Sequence, residues 1–275
     1  MDFTCKIYRK LLDALKNERY QFITFGKCLE KFKVFKVENS LRIVVLRHDV
    51  DTRPENALKM AVIEKELGVN GTYYFRTVPQ SFDEKIILKI FDLGNEIGYH
   101  YENINTVMSN VKCKIINEEN RAELLESAYH NFIENLQRFR KIVPVNTICM
   151  HGSPRSKYDN KMIWEKYDYK ELGIIGEPYF DVDWNRVGYL TDTGRKWNGS
   201  NVSIRDKVNS KFKFNFKSTQ DIIRNIEKLP NQMMFTVHPE RWNDKPLPWL
   251  KELVFQNVKN FIKGRIVKSQ VMSDE

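Results

Sequence analysis

Apolar and polar positions along this chain switch between two periods. Residues 41–48 form a short apolar, β-branched run, and Asp49, Val50 and Asp51 follow it directly. A run of this kind, bounded by polar residues, predicts a buried strand. Further runs at 71–76, 95–100, 145–150 and 232–237 predict more strands, with shorter ones near 173–176, 186–191 and 201–204. Between them the spacing turns helical. Pro54 suits a first turn and Gly68 a C-terminal stop, around Ala57, Leu58, Ala61, Val62 and Leu67. Helical spacing recurs at 83–93, 118–141 and 248–262, and at 3–16 ahead of the first strand. In residues 20–37, Phe22, Ile23, Phe25, Phe32 and Phe35 interleave with lysines, which suits an extra helix or a cover over one end of a barrel.

Strands alternating with helices predict parallel βαβ units and an α/β fold. Polar residues gather at the C-terminal ends of the strands, where such folds place their sites. No repeat, linker or low-complexity tract interrupts the pattern. The expectation is one domain over 1–275: an N-terminal helical extension (1–40), a motif-bearing barrel (41–242) and a closing helix and tail (243–275).

Charge and cysteine usage narrow the partners. The net charge is +9, which favours anionic partners such as nucleic acid, a membrane surface or an acidic or phosphorylated saccharide. The lysines fall only in short clusters, such as Lys31, Lys33, Lys36 and Lys211, Lys213, Lys217, and no nucleic-acid motif accompanies them, so nucleic acid is not the expected partner. Cys5, Cys28, Cys113 and Cys149 make no CxxC pair and fit a reduced, intracellular protein rather than a structural zinc site. Residues 1–15 have no apolar signal region, and no stretch approaches a membrane span. The sequence therefore reads as soluble and cytoplasmic.

The candidate chemistry lies at the strand ends. Asp49 and Asp51 are two residues apart on a strand and so share a face. Neighbouring carboxylates are costly unless a cation sits between them or one is protonated. His100, His151 and His238 each close an apolar run, and in a parallel barrel they converge with the Asp pair at one rim. Imidazole with carboxylate suits zinc or another divalent ion, which lowers the pKa of a bound water. His48 alternates to the other face and reads as structural, and His130 lies off the apolar face of its helix and reads as a surface residue.

These residues resemble the polysaccharide deacetylase (NodB-homology) superfamily, and within it the lipopolysaccharide or capsule branch with an Arg-His-Asp-Val-Asp first motif. Arg47 to Asp51 match that motif. Gly68-Val69-Asn70-Gly71-Thr72-Tyr73-Tyr74 is similar to the family's second strand, Gly94-Asn95-Glu96-Ile97-Gly98-Tyr99-His100 to its "Gly-His-Glu-Ile-Gly-x-His" segment, and Val237-His238 to its last motif. The resemblance implies a distorted (β/α) barrel of seven or eight strands and hydrolysis of an N-acetyl group from a sugar. It implies Asp51 and His100 on the metal, Asp49 as general base and His238 as general acid. Val50, which separates the two Asp residues, is a departure that leaves those two roles exchangeable. A second departure is Ile104, where the family has its second metal histidine. Either Glu102 or His151 is left to replace it. Asp192 resembles a site residue that orients a histidine, and Arg195 a phosphate or carboxylate binder, against the alternative of a loop packed through Trp197. Arg241 and Trp242 are candidates to shape a sugar pocket, with Trp242 as plain packing the alternative. The expected substrate is a saccharide, nucleotide- or lipid-linked. The other reading is a non-catalytic saccharide-binding relative that has lost the usual metal site.

Overall fold

The computed structural model describes residues 1–32, 41–110, 118–152, 156, 158–197 and 208–271. Seven strands pair in parallel in one sheet: β1 (Gln21–Phe22), β2 (Ile43–Val50), β3 (Thr72–Phe75), β4 (Glu96–Tyr101), β5 (Ile148–Met150), β6 (Gly188–Thr191) and β7 (Gln232–Val237). The order is β5-β4-β3-β2-β7-β6, with β1 against the start of β2. The central strand β2 pairs with β7 along Ile43–His48 and with β3 along Arg47–Val50. Every one of its residues is buried, as a strand covered on both faces requires. Side-chain alternation sends Val44, Leu46, His48 and Val50 outward to the helices and Val45, Arg47 and Asp49 inward.

The inward face is curled around its own core, as a distorted (β/α) barrel. Val45, Tyr74, Cys149 and Met234 pack together there with Phe25, Cys28 and Leu29. These last three come from α2 (Phe25–Phe32), which covers the end of the barrel where the strands begin. Val182, Trp184 and Val187 complete the cluster. They come from the stretch between α7 (Pro178–Asp181) and β6, so loop side chains fill the gap between the edge strands β5 and β6. Gly98 is required on this face, because a Cβ there would lie 2.3 Å from the ring of Tyr74 and 3.0 Å from the Thr147 carbonyl.

Helices cover the outer face. They are α1 (Cys5–Asn17), α3 (Pro54–Leu67), α4 (Glu84–Asp92), α5 (Asn103–Asn110), α6 (Glu118–Arg140), α8 (Thr219–Arg224) and α9 (Pro246–Val271). α1 starts where the Thr4 hydroxyl accepts from the Ile7 amide, and it buries Tyr8, Leu11, Leu12 and Leu15. α3 begins with Pro54 and ends at Gly68 in the left-handed region, as the sequence pattern predicts. On this outer side His48 stacks on Tyr73 at 4.0 Å, and its Nε2 lies 3.0 Å from the Tyr8 hydroxyl and 2.9 Å from Glu64 Oε1. It faces away from Asp49.

Two expectations change. The strand near 173–176 is a single parallel bridge, Thr147 to Gly176, because Gly173 turns into the left-handed region directly before it. The strand near 201–204 lies outside the described residues, as do Lys33, Phe35, Lys36 and Cys113. Among the described residues, Cys5, Cys28 and Cys149 form no disulfide with one another. Among the described residues no helix is long and apolar enough to cross a membrane.

Candidate metal centre and its flanking dyad

Parallel strands end together, so the last residues of β2, β4, β5, β6 and β7 meet at one rim. Asp49 is near the end of β2, and Asp51 lies just beyond it. His100 is in β4, His151 follows β5, Asp192 follows β6 and His238 follows β7. The structure brings all six to the same end of the barrel.

Asp51, His100 and His151 form the inner group. His100 Nε2 and His151 Nε2 each lie 3.5 Å from Asp51 Oδ1. One donor atom from each residue falls within 4.8 Å of the others. The second ring nitrogens fix the tautomers. His100 Nδ1 is 2.9 Å from the Cys149 carbonyl, an acceptor only, so Nδ1 carries the proton and Nε2 presents its lone pair. His151 Nδ1 is 3.1 Å from Glu102 Oε2, out of line for a hydrogen bond but close enough for the carboxylate to favour the same tautomer. Two lone pairs and a carboxylate oxygen then converge, and Asp51 Oδ1 is buried without a hydrogen bond. That donor set fits a divalent cation. Burial pushes the Asp51 carboxyl up, but His151, His100 and His238 outweigh it and hold it well below the usual range. Cys149 Sγ, Asp49 and His100 make a second close group, but both oxygens of Asp49 are already bonded to Arg47.

Glu102 stands behind this group. Arg76 grips it in bidentate fashion, Nε to Oε1 at 2.7 Å and Nη2 to Oε2 at 2.8 Å, and donates to the Asp51 carbonyl at 3.2 Å. Burial raises the Glu102 carboxyl, but His151 and Arg76 prevail and lower it to about 2. Of the two candidates to replace the missing histidine, His151 is the one whose free nitrogen approaches Asp51. Ile104 itself is buried with Leu124, Leu125, Ala128 and Ile163.

Asp49 sits beside the group, with Oδ2 3.7 Å from His100 Nε2. Arg47, two residues earlier on the same face, donates from Nε to Oδ1 at 2.8 Å and from Nη2 to Oδ2 at 2.6 Å. Both residues are buried, so the pair neutralises its own charge inside the barrel.

Across the rim, His238 and Asp192 form a dyad. His238 Nδ1 is 2.6 Å from Asp192 Oδ1, and its amide donates to Oδ2 at 3.0 Å. Arg241 donates to Oδ1 at 2.8 Å and the Trp242 indole to Oδ2 at 2.7 Å. Burial and Arg241 push the His238 imidazolium down, but Asp192 and Asp51 raise it to about 9. Burial raises the Asp192 carboxyl, yet Arg241 and His238 leave it lowered.

The three residues expected to bind substrate sit elsewhere. Trp242 is 1% exposed among Phe3, Tyr8 and Trp197, so no ring face is open to a sugar. Arg241 commits Nη1 to Asp192, and its Nε lies 3.6 Å from Glu240. Arg195 is buried between the rings of Phe3 and Trp249 and donates to the Trp249 carbonyl at 2.9 Å, so it holds α9. All three support the dyad or its neighbouring helix, because the loop after β6 folds back beneath α9. Sequence reading passed over Arg47 and Arg76. Arg47 was legible, since a cation two residues before Asp49 on a strand must share its face. Arg76, at the end of β3, had no local signal.

No family model matches this chain, and no curated protein matches it. Among solved structures, a family 4 carbohydrate esterase from Bacillus anthracis aligns over 90% of this chain and 84% of its own, at 12% identity and a TM-score of 0.37. The peptidoglycan deacetylase PdaC from Bacillus subtilis, in a mutant form, aligns over 86% and 96%, at 10% identity and a TM-score of 0.40. A CE4 family pseudoenzyme from Bacillus anthracis aligns over 82% and 63%, at 13% identity and a TM-score of 0.40. At this level of similarity the chemistry is read from the chain's own residues.

Proposed function

We propose that this chain is a metal-dependent hydrolase that removes an N-acetyl group from a carbohydrate. The observation that carries the reading is the convergence of Asp51, His100 and His151 between a braced carboxylate, Asp49, and a braced imidazole, His238. A divalent ion, zinc in this reading, would supply Lewis acidity toward the acetyl carbonyl and the attacking water. Asp51, His100 and His151 would hold it. Asp49 is the general base, held in one orientation by the two hydrogen bonds from Arg47. His238 is the general acid: an amine leaves poorly unless protonated, and the pairing with Asp192 keeps the imidazole charged at neutral pH. Asp192 also fixes the ring, with its own place secured by Arg241 and Trp242.

The substrate class is a sugar intermediate of cell-surface polysaccharide biosynthesis, nucleotide- or lipid-linked, which the net charge of +9 supports. The four scattered cysteines, which make no CxxC pair, support work in a reducing compartment, the cytoplasm. In this reading 1–275 is a single domain, whose described residues include Asp49, Asp51, His100, His151, Asp192 and His238. The test is purified protein, stripped and then reloaded with zinc, assayed for acetate release across a panel of N-acetyl sugars. Acetate released only by the reloaded protein is expected. No metal uptake and no acetate from any of them would overturn the reading in favour of a saccharide-binding relative.

A further inference from the structure

Helix α9 packs through its polar side and exposes its apolar side. Glu252, Gln256 and Asn260 follow one another at single-turn spacing and are buried. Glu252 pairs with Arg53 at 3.2 Å, Gln256 donates to Glu252 at 2.9 Å and Asn260 donates to the Gly194 carbonyl at 2.9 Å. On the other side Leu247, Leu250, Val254, Val258 and Phe261 are 80%, 52%, 56%, 54% and 61% exposed. At the helical rotation per residue these five lie within an arc of about 80°, opposite the buried trio. A helix that served only its own fold would turn the other way. A continuous apolar stripe of this kind marks a contact surface.

The flanking charge says what it contacts. Lys251 is exposed beside the stripe, and Lys259 is exposed farther round the flank of α9, with its ammonium over the ring of the exposed Phe255. Between residues 245 and 271 the sequence has six Lys or Arg and one acid, Glu252, which is buried on Arg53. A second copy of this helix would bring lysines against lysines, with no exposed acid in 245–261 to meet them. An apolar face bordered by lysines suits the boundary between acyl chains and anionic headgroups. We infer that α9 docks in the plane of an anionic lipid bilayer through Leu247, Leu250, Val254, Val258 and Phe261, with Lys251 on the headgroups and Lys259 reaching them from the flank over Phe255. Arg53, two residues beyond Asp51, ties this helix to the rim of the metal centre, so docking would set that rim near the lipid surface.

The test is co-sedimentation of the full chain with vesicles of equal parts phosphatidylcholine and phosphatidylglycerol, and with phosphatidylcholine alone. Binding is expected to the first and not the second, and to weaken as salt is raised. Val254→Ser with Phe261→Ser should lower binding by about tenfold or more, and Lys251→Glu with Lys259→Glu by about tenfold. Both pairs are exposed, so unchanged circular dichroism is expected. Binding measures no hydrolysis, so its outcome is separate from that of the deacetylase reading. A chain that stays in the supernatant with both vesicles, or binding that the double variants leave intact, would overturn the inference. A dimer by light scattering that Val254→Ser with Phe261→Ser splits, without vesicle binding, would assign the stripe to a second copy instead.

Discussion

Glu102 approaches the nitrogen of His151 that Asp51 does not: Oε2 lies 3.1 Å from Nδ1, while Nε2 is 3.5 Å from Asp51 Oδ1. A carboxylate behind an imidazole sets the tautomer and the aim of the ring. Glu102→Gln should therefore weaken zinc affinity by about 10- to 100-fold without abolishing it. His151→Ala should abolish stoichiometric binding. Competition against a chromophoric chelator measures both. Equal, complete loss in the two variants would make Glu102 a ligand itself.

The dyad predicts the alkaline limb of the pH profile. His238 must be protonated to serve as an acid, and its pKa is raised to about 9. Asp192→Asn removes the main charge that raises it. The falling limb of the kcat/KM profile should then move to lower pH in that variant. The sign for stability follows. A histidine whose pKa is raised on folding contributes stability in full below its ordinary value of about 6.5. That contribution is lost as pH rises through about 9. Urea midpoints measured from pH 6 upward should fall in the native chain and stay flatter in Asp192→Asn.

Arg47 and Asp49 are a buried pair, and removing one partner strands the other. Arg47→Ala should destabilise the fold by about 3–5 kcal/mol. Arg47→Met with Asp49→Asn should recover much of this, while leaving no hydrolysis. Denaturant unfolding separates the two effects. A single variant as stable as the native chain would mean that water reaches the pair.

Gly98→Ala sets a methyl group 2.3 Å from the Tyr74 ring. The ring has no room to retreat inside the barrel, so a loss of about 1–3 kcal/mol is expected by thermal unfolding. His100 is two residues along the same strand, and zinc affinity should fall with it.

Strand periodicity made the framework legible, because strands buried on both faces appear as apolar runs and the helices between them keep their own spacing. The histidines closing three of those runs pointed to one rim for the same reason. What the sequence withheld was the connection between distant elements. Nothing near His151 says that Glu102 and Arg76 stand behind it, since those two come from β4 and β3. Trp242 and Arg195 have the composition of a sugar pocket. They are instead both packed against Phe3, at the opposite end of the chain. The resemblance to the deacetylase motifs located Asp49, Asp51, His100 and His238. The departure at Ile104 needed the fold, which brings His151, from a different strand, within 3.5 Å of Asp51.

His151 sits on a weakly held edge of the sheet. It follows β5, a three-residue strand at the edge of the sheet, whose ladder is among the shortest in the barrel. Short edge strands open most readily in the native state. An ion shared by Asp51, His100 and His151 would lace that edge to the central strand, so loading the centre would also slow the breathing of β5. Amide exchange along Ile148–Met150 would then report metal occupancy in the absence of any substrate.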